Sequence, residues 1–291
     1  MKEKIIILTP VYNDWKSLMK LLAKINSIFK YQIKKKFDLV VVNDFSSEQF
    51  NFIKLKFKSV NKLTLISLFE NLGSQRALAL GIRYINKFYK KNYRAILIDS
   101  DGQDNPKAIT SMLKKIKKNP KSSIVINRGQ RKEPFWFKFF YETYGMFINI
   151  FAAKKIRFGN YSLLNSNHIK KIHNNLDLWS AFPPTISNNI KEIVYITMDR
   201  EKRYAGKSKM SFFKLAGHAL RVFSVLRYKI LSFSLIYLSA IYIFFKNNNY
   251  EFFFYYFFAL ILLLNISNFK VSFSNKKNFN EAFEKIKIYR F

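Results

Sequence analysis

Apolar runs and amphipathic stretches alternate through the first half of the chain. Five short runs rich in Ile, Val and Leu predict buried strands at 4–8, 38–42, 63–68, 94–98 and 122–127. Apolar residues at helical spacing predict helices at 15–29, 75–89 and 106–118. Strands that alternate with helices of this length are typical of βαβ units, so we expect an α/β fold with a mainly parallel sheet.

Acidic residues follow three of the five predicted strands. Asp14 comes after the first strand, Asp44 after the second and Asp99 after the fourth. The carboxyl ends of parallel strands meet at one edge of an open α/β sheet, and ligands bind at that edge. We therefore expect these carboxylates to lie close together in a binding site.

The fourth strand leads into an oxygen-rich turn that contains Asp99, Asp101, Gln103 and Asp104. Asp99 and Asp101 are two positions apart, so on an extended backbone they share a face and both can reach one hard cation. Gln103 and Asp104 extend the same polar turn. The alternative is a solvated turn whose aspartates cap the helix that follows.

Several common kinds of site are excluded by residues that the chain lacks. It has no Cys, which excludes disulfides and thiolate metal sites, and its three His lack the spacing of a transition-metal site. Neither a G-x-G-x-x-G dinucleotide motif nor a G-x-x-x-x-G-K-[ST] phosphate loop is present. Acidic strand ends suit instead a nucleotide whose diphosphate is held through a divalent cation.

The net charge of +33 indicates a polyanionic partner such as nucleic acid, anionic lipid or a phosphorylated substrate. A genome biased towards A+T would also raise the Lys content, and would raise Asn, Ile, Phe and Tyr with it. The chain has 32 Phe and 17 Tyr, and most of this aromatic excess falls after position 135, which indicates a membrane. Nucleic acid is the least favoured partner, because the basic residues flank apolar segments.

Two apolar segments near the C-terminus predict a membrane hairpin. Residues 230–245 are uncharged for 16 positions and residues 252–266 for 15, slightly short of the usual span. Basic residues flank both bases of the hairpin, which predicts that both ends are cytoplasmic. No signal peptide is apparent, so we expect a multi-pass protein of the inner cell membrane with its catalytic part in the cytoplasm. A monotopic hairpin that does not cross is the alternative.

Three further stretches carry weaker expectations. The aromatic stretch 135–151 predicts an interfacial helix or a helix buried under the sheet. The helix after Ser208 has a basic stripe, and we expect it to lie in the plane of an anionic bilayer. The tail 275–291 predicts a short basic helix. The stripe comprises Lys207, Lys214, His218 and Arg221.

These expectations divide the chain into four parts. Residues 1–210 form a cytoplasmic catalytic domain, 211–229 an amphipathic juxtamembrane helix, 230–266 a two-helix transmembrane hairpin and 267–291 a basic cytoplasmic tail.

Four motifs in order resemble those of family-2 glycosyltransferases, over about residues 4–215. A fifth segment, 203–210, resembles the R-x-x-G-x-S-K segment of the membrane-bound members. The resemblance implies the nucleotide-diphospho-sugar transferase fold, a Rossmann-like α/β sandwich. The four motifs are Pro10-Val11-Tyr12-Asn13-Asp14, Val41-Val42-Asn43-Asp44-Phe45-Ser46, Asn71-Leu72-Gly73 with Ala77 and Gly81, and Asp99-Ser100-Asp101-Gly102-Gln103-Asp104.

The resemblance also implies roles for individual residues. Asp99, Asp101 and Gln103 would hold Mg²⁺ or Mn²⁺. Pro10, Tyr12, Asp14 and Asp44 would hold the nucleoside, and Gln75, Asp99 and Ser208 are also expected to bind the nucleotide sugar. Arg128 and Arg131, on a basic loop after the fifth strand, are expected to bind its phosphates, since Arg can do so with two hydrogen bonds; a solvated basic loop is the alternative. The residues expected to act in catalysis are Asp101, Asp104, Asp177, Arg203 and Lys209.

Three positions depart from the family pattern. Phe45 replaces the Gly that is common in the second motif, which puts the local turn geometry in question. Residues 158–164 resemble the Gly-Asp-Phe-Arg-Leu segment of polyprenyl-phosphate sugar transferases, with Asn160 in place of Asp and Ser162 in place of Arg. Asn cannot act as a general base, and Asp177 is the substitute that we consider.

The missing carboxylate favours an acceptor that is already charged. A lipid phosphate has a second pKa of about 6 by analogy with phosphorylated side chains, so it needs no base near pH 7. A sugar hydroxyl would need one. We therefore expect a glycosyltransferase that uses a nucleotide-diphosphate sugar and a lipid-linked acceptor, preferably polyprenyl phosphate.

Two alternatives remain at this point. The acceptor could be a lipid-linked glycan hydroxyl in surface polysaccharide or lipopolysaccharide synthesis. The chain could also be a catalytically weak membrane scaffold that binds nucleotide sugar. Anionic membrane lipids are expected partners, nucleic acid is not, and a homo-oligomer is compatible with all three hypotheses.

Overall fold

The computed structural model describes residues 3–48, 50, 57–90, 92–129, 146, 156–206, 212–247 and 251–291. The strands are β1 (Lys4–Val11), β2 (Phe37–Asn43), β3 (Val60–Ser67), β4 (Tyr93–Leu97), β5 (Ser123–Arg128), β6 (Phe158–Asn165), β7 (Ile193–Met198) and β8 (Lys287–Arg290). The α-helices are α1 (Trp15–Ser27), α2 (Ser74–Phe88), α3 (Ala108–Lys118), α4 (Ser166–Ile172), α5 (Asp177–Ser180), α6 (Phe182–Asn189), α7 (Phe212–Val225), α8 (Arg227–Asn247) and α9 (Glu251–Glu284). A π-helical segment, Ile28–Ile33, continues α1.

All eight strands form one sheet in the order β7-β5-β6-β4-β1-β2-β3-β8. Pairing is parallel from β4 through β1 and β2 to β3 and between β5 and β7. Strand β6 runs antiparallel to β4 and β5, and β8 runs antiparallel to β3. The five strands and three helices expected in the first half of the chain are confirmed.

The sheet is covered on both faces because apolar residues occupy consecutive positions of its central strands. Along β1, Ile6 and Leu8 face one core, and Ile5 and Ile7 face the other. Helices α1 and α3 cover the second core, whereas α2 and α4 to α6 cover the first. A strand that is apolar on both faces is typical of a parallel sheet sandwiched between helices.

Helix α2 lies unusually close to the sheet. A Cβ atom at Gly81 would come within 2.5 Å of the Leu8 side chain and 3.1 Å of the Val42 side chain. Only glycine leaves room for this approach. The contact fixes the first turn of α2, which contains Gln75 and Arg76, above the carboxyl ends of β1 and β2.

Helices α8 and α9 are long and apolar enough to cross a membrane. Their candidate spans, Arg227–Asn247 and Phe252–Glu284, have mean hydropathies of 1.6 and 1.8. Most of their apolar side chains are exposed, as expected of helices that face lipid, and Asn265 Nδ2 donates a hydrogen bond to Ser234 Oγ between them.

The tail is helical only in part, because residues 275–284 are the end of α9 and not a separate short helix. Helix α9 continues to Glu284, and the chain then adds β8 to the free edge of β3. Phe279 and Ala282 recur at helical spacing on one face of α9, and both are buried against the first core, where the Phe279 ring lies 5.2 Å from that of Trp179. Residues 267–291 are therefore not a free tail, because they pack on the domain that begins the chain.

The expectation for the basic stripe of α7 also needs correction. His218 and Arg221 are partly buried between α7 and the rest of the domain. Ser224 Oγ lies 3.1 Å from Ser180 Oγ on α5, and Val222 and Val225 are buried beside it. The other stripe members, Lys207 and the Lys214 side chain, lie outside the described residues.

The expected aromatic helix at 135–151 also lies outside the described residues, except for Met146.

Candidate functional site

The carboxyl ends of β1, β2 and β4 meet at one edge of the sheet, as expected. The backbone N–H of Asp44 donates to the carbonyl of Val11, and that of Ile98 donates to the carbonyl of Leu8. These bonds extend the parallel pairing of the strands as far as the acidic residues. Pro10 is buried within β1, and Tyr12 just after it is 39% exposed.

Asp44 is buried at the start of α2. Its two carboxylate oxygens accept hydrogen bonds from the backbone N–H groups of Leu72 and Gly73, at 2.8 and 2.9 Å. Burial raises the pKa of Asp44 to about 6, and these two hydrogen bonds oppose that rise. The carboxylate therefore ties β2 to the motif that begins α2.

Phe45 occupies a backbone conformation that favours glycine. Its φ is 60°, and its ring is 55% exposed. The turn is held by hydrogen bonds from the Ser46 N–H to Asn43 Oδ1, at 2.9 Å, and from the Asn13 N–H to Ser46 Oγ, at 2.9 Å. Phe45 therefore adopts a left-handed conformation, at a conformational cost of about 1–2 kcal/mol.

Arg203 joins the first and fourth strand ends. Its Nη2 lies 2.7 Å from Asp14 Oδ2, and its Nη1 lies 2.9 Å from Asp101 Oδ2. The other oxygen of Asp101 accepts a hydrogen bond from the Gln103 N–H at 2.9 Å. One guanidinium thus holds two largely buried carboxylates, a geometry that Lys cannot reproduce.

The segment before Gly206 lies across the acidic turn. The Tyr204 N–H donates to the Asp101 carbonyl, and the Glu201 N–H donates to the Gln103 carbonyl. Gly102 has a φ of 80°, and a Cβ there would meet the Tyr204 ring. Glycine at 102 is required on both counts, and the contact places Arg203 beside the carboxylates.

Three carboxylates crowd this turn. Burial, followed by repulsion from Asp99, raises the pKa of Asp101, and the same two causes raise the pKa of Asp104 to about 7. Arg200 approaches Asp104 only to 3.9 Å. In the part of the chain that the structure describes, no three acidic or His side chains form a complete metal site. Two carboxylates suit a Mg²⁺ or Mn²⁺ that shares its ligands with substrate phosphates.

A chain of amide hydrogen bonds connects Asp99 to α2 and α6. Asn160 Nδ2 donates to Asp99 Oδ1 at 3.1 Å, and Asn160 Oδ1 accepts from Gln75 Nε2 at 2.8 Å. Gln75 Oε1 in turn accepts from the Phe182 N–H at 2.9 Å. Asn160 therefore orients Asp99, and Gln75 orients Asn160. Ser162 lies two residues after Asn160 on β6, on the same face of the strand, and is fully buried.

Asp177 is engaged elsewhere. Its carboxylate accepts a hydrogen bond from Arg227 Nη1 at 2.8 Å, at the start of α8. Burial raises the pKa of Asp177, and the bond to Arg227 opposes the rise. This ion pair joins α8 to α5, and within the described residues it connects Asp177 to α8 rather than to the acidic turn.

Cationic side chains converge near Asn160. Arg76 on α2, Arg128 at the end of β5, and His218 and Arg221 on α7 form what we call the cationic cluster. Burial, then the charges of Arg221 and Arg128, lowers the pKa of His218 to about 4. Burial, then the charge of Arg221, also lowers the pKa of Arg76.

The buried His218 predicts a pH-dependent difference in stability. A pKa lowered from 6.5 to about 4 on folding contributes stability that is complete above pH 6.5 and is lost as the pH falls towards 4. Between pH 7.5 and pH 5 we expect the wild type to lose about 2 kcal/mol relative to His218→Gln. Denaturation of both proteins in detergent at the two pH values measures this difference, and equal pH dependence would contradict it.

Some expected site residues lie outside the described residues, namely Arg131, Ser208 and Lys209. The structure brings Asp14, Asp44, Asp99, Asp101, Asp104 and Arg203 to one edge. Sequence reasoning missed Arg76 and the inward orientation of His218 and Arg221. Arg76 could have been found from the sequence, because it lies next to Gln75 inside the third of the four motifs.

Comparison with known proteins agrees with this geometry. A model of the family described as Glycosyl transferase family 2 matches residues 6–177, which is more than half of the chain. An uncharacterized glycosyltransferase of Synechocystis sp. is 25% identical over 232 residues, which cover 74% of this chain and 66% of the relative. The undecaprenyl-phosphate 4-deoxy-4-formamido-L-arabinose transferase of Proteus mirabilis is 25% identical over 222 residues, which cover 73% of this chain and 64% of the relative. The matched region thus spans slightly less than two thirds of these relatives.

Solved structures show the same fold. Glucosyl-3-phosphoglycerate synthase from Mycobacterium tuberculosis, in complex with Mn²⁺, UDP and glucosyl-3-phosphoglycerate, matches with a TM-score of 0.52 at 11% identity. The match covers 78% of this chain and 80% of that one. The expected nucleotide-diphospho-sugar transferase sandwich is therefore confirmed.

Proposed function

The chain belongs to glycosyl transferase family 2, and from this premise we propose that it transfers a sugar from a nucleotide-diphosphate donor to a lipid phosphate at the cytoplasmic face of a membrane. The observation that carries the proposal is the edge where Asp14, Asp44 and Asp99 follow three adjacent strands and Arg203 bridges Asp14 and Asp101.

The donor site has two parts in this proposal. Pro10, Tyr12, Asp14 and Asp44 hold the nucleoside at the ends of β1 and β2. Asp99 and Asp101, with Gln103, would hold a Mg²⁺ or Mn²⁺, which would supply positive charge for the donor diphosphate. The repulsion between Asp99 and Asp101 supports this, because a divalent cation would relieve it. When bound, the cation supplies positive charge to the leaving group.

The reaction is a single inverting displacement. An oxygen of the acceptor phosphate attacks the anomeric carbon of the sugar, and the bond from that carbon to the nucleoside diphosphate breaks with its electron pair leaving on the diphosphate. Arg203 is placed to offset negative charge that develops there, because it already lies within 2.9 Å of Asp101. Asn160 fixes Asp99 through its amide and takes no proton.

The lipid phosphate is favoured over a hydroxyl acceptor. The side chain that stands where related transferases have Asp is Asn160, and both ends of its amide are already hydrogen bonded. Asp177 is bonded to Arg227. A phosphate acceptor near pH 7 needs no base, whereas a hydroxyl does. The Proteus mirabilis relative is named for an undecaprenyl-phosphate acceptor, which agrees with this choice.

The C-terminal helices would place the acceptor beside the site. We propose that α8 and α9 cross the inner membrane as a hairpin with both ends in the cytoplasm. Arg227 and Lys229 begin one helix, and Lys270 lies towards the far end of the other. The anchoring pair Asp177–Arg227 joins the hairpin to the catalytic domain at its base.

The purified full chain in detergent tests the proposal. It would be incubated with Mn²⁺, labelled nucleotide sugars and undecaprenyl phosphate, and the label in the organic phase would be counted. We expect Mn²⁺-dependent label in the organic phase with one donor. Donor binding without transfer from any donor would indicate a nucleotide-sugar-binding scaffold and overturn the proposal.

A further inference from the structure

Arg76, His218 and Arg221 of the cationic cluster are not used by the donor site, yet they are built into the fold. Arg76 lies in the first turn of α2, and its guanidinium is 5.2 Å from the centre of the Trp179 ring. On α7, the hydroxyl of Ser224 donates to the carbonyl of Arg221 at 2.8 Å and also contacts Ser180 on α5. These contacts hold Arg76 and Arg221 on facing elements.

Arg76 and Arg221 differ from three other arginines of the domain in their charge balance. Arg94, Arg203 and Arg227 each form an ion pair with a carboxylate at 2.9 Å or less. Within the part of the chain that the structure describes, neither Arg76 nor Arg221 has such a partner. Glu70 and Asp44 oppose the lowering of the Arg76 pKa, but burial and the charge of Arg221 have the larger effects. Partly buried like charges repel, so an anion bound among them would be stabilised.

The cluster also lies at the right place for an acceptor. Arg76 directly follows Gln75, which is hydrogen bonded to Asn160, which in turn is bonded to Asp99. Arg128 lies against Gly159, the neighbour of Asn160. Arg128 also lines one cavity with Asp104, so the cluster extends from the region of Asn160 to the acidic turn of the donor site.

The connection to the membrane indicates what kind of anion fits. Helix α7 ends at Val225, and α8, a candidate membrane span, begins at Arg227. An anion bound by α7 is therefore close to the point where the chain enters lipid. A phosphate with an apolar tail can place its charge in the cluster and its tail along α8.

We propose that Arg76, His218 and Arg221 bind the phosphate of the lipid acceptor where α7 packs on the catalytic domain. This inference rests on the proposed function and assigns the acceptor half of the same site. Two guanidinium groups can each donate two hydrogen bonds to a phosphate, and neutral His218 can donate one. Bilayer headgroups and the donor diphosphate carry the same chemistry, so the test must separate them.

Acceptor kinetics give the first test. We expect Arg221→Gln to raise the KM for undecaprenyl phosphate at least about tenfold, with the donor KM unchanged. Arg221→Lys should recover part of the loss. The matched control is Arg83→Gln, which removes the same charge from α2 at a position bonded to Asn280 and should leave the acceptor KM unchanged.

Ligand binding gives a second test that needs no turnover. Farnesyl phosphate should raise the Tm of the wild type and of Arg83→Gln, whereas farnesol should not. Arg76→Gln and Arg221→Gln should lose this shift and keep the shift given by UDP with Mn²⁺. Without ligand, both variants should melt at or above the wild-type Tm, because each removes one of several repelling charges.

Four results would overturn the inference while leaving the proposed function standing. They are an unchanged acceptor KM in Arg221→Gln, an equal Tm shift with farnesyl phosphate and farnesol, a shift of the same size with phosphatidylglycerol, and loss of the UDP shift in the cluster variants. Failure of the wild type to glycosylate undecaprenyl phosphate would instead count against the proposed function.

Discussion

Asp101→Asn is expected to lower kcat by at least about 10³-fold, which corresponds to about 4 kcal/mol of transition-state stabilisation. Asp101 is the centre of the acidic turn, with one oxygen bonded to the Gln103 N–H and the other to Arg203. The amide keeps the size of the side chain but removes the charge that would hold a cation. We expect Mn²⁺-dependent binding of UDP, measured by calorimetry, to be lost together with turnover.

Glu201→Gln is the matched control for this variant. Glu201 is an exposed carboxylate on the segment that crosses the acidic turn, where it accepts a hydrogen bond from Asn105. The same change of charge there should alter kcat less than about threefold, because an exposed charge is screened. Full activity in Asp101→Asn would contradict the assignment of the donor site.

Arg203→Gln is expected to lower both stability and turnover. Arg203 is the partner of both Asp14 and Asp101, and its side chain is 24% exposed. Its loss leaves two largely buried carboxylates without a counter-charge, which should cost about 3 kcal/mol of unfolding free energy. It also frees the segment that Tyr204 holds against the turn, so we expect kcat to fall at least about 100-fold.

Two further variants separate the role of the two-nitrogen geometry of the Arg203 guanidinium from the role of its charge. Arg203→Lys keeps the charge but can reach only one carboxylate well, so it should recover stability more than turnover. Arg200→Gln removes an arginine three positions away, whose Nε lies 3.9 Å from Asp104, and its effect on Tm should be smaller. If Arg203→Gln melts at the wild-type temperature, the bridging role is wrong.

The first half of the fold was predictable because its periodicity is strong. The apolar runs of β1, β2 and β4 face helices on both sides, so no polar residue interrupts them. Strand β6 was not predicted as a strand, because it contains Gly159, Asn160 and Ser162, which lower the β propensity of the run. Their burial depends on partners distant in sequence, such as Gln75, which no local pattern reveals.

The tail was mispredicted for a related reason. Four residues, Lys287–Arg290, form β8 only because the edge of β3 is available to them, and that edge lies more than 200 positions earlier in the chain. The apolar positions Phe279 and Ala282 were visible in the sequence, but the lysines around them favoured a solvated basic helix. Tertiary packing decided the outcome.

The candidate site, like the fold, could be predicted from the sequence only in part. The acidic strand ends could be predicted to converge, because strand direction and sheet edge follow from the βαβ pattern. The bridging of Asp14 and Asp101 by Arg203 could not, since 102 positions separate Arg203 from Asp101. The basic stripe of α7 suggested a bilayer contact, whereas packing through Ser180 and Ser224 turns Arg221 towards Arg76.

A competition between two acceptors tests the central claim most directly. The purified full chain would receive Mn²⁺, the active nucleotide sugar, and equal amounts of undecaprenyl phosphate and undecaprenol, with the products resolved by mass spectrometry. We predict that the sugar is found only on the phosphate, with one nucleoside diphosphate released for each sugar transferred and with inverted anomeric configuration. Transfer to undecaprenol at a comparable rate, or donor hydrolysis with no lipid product, would contradict the account.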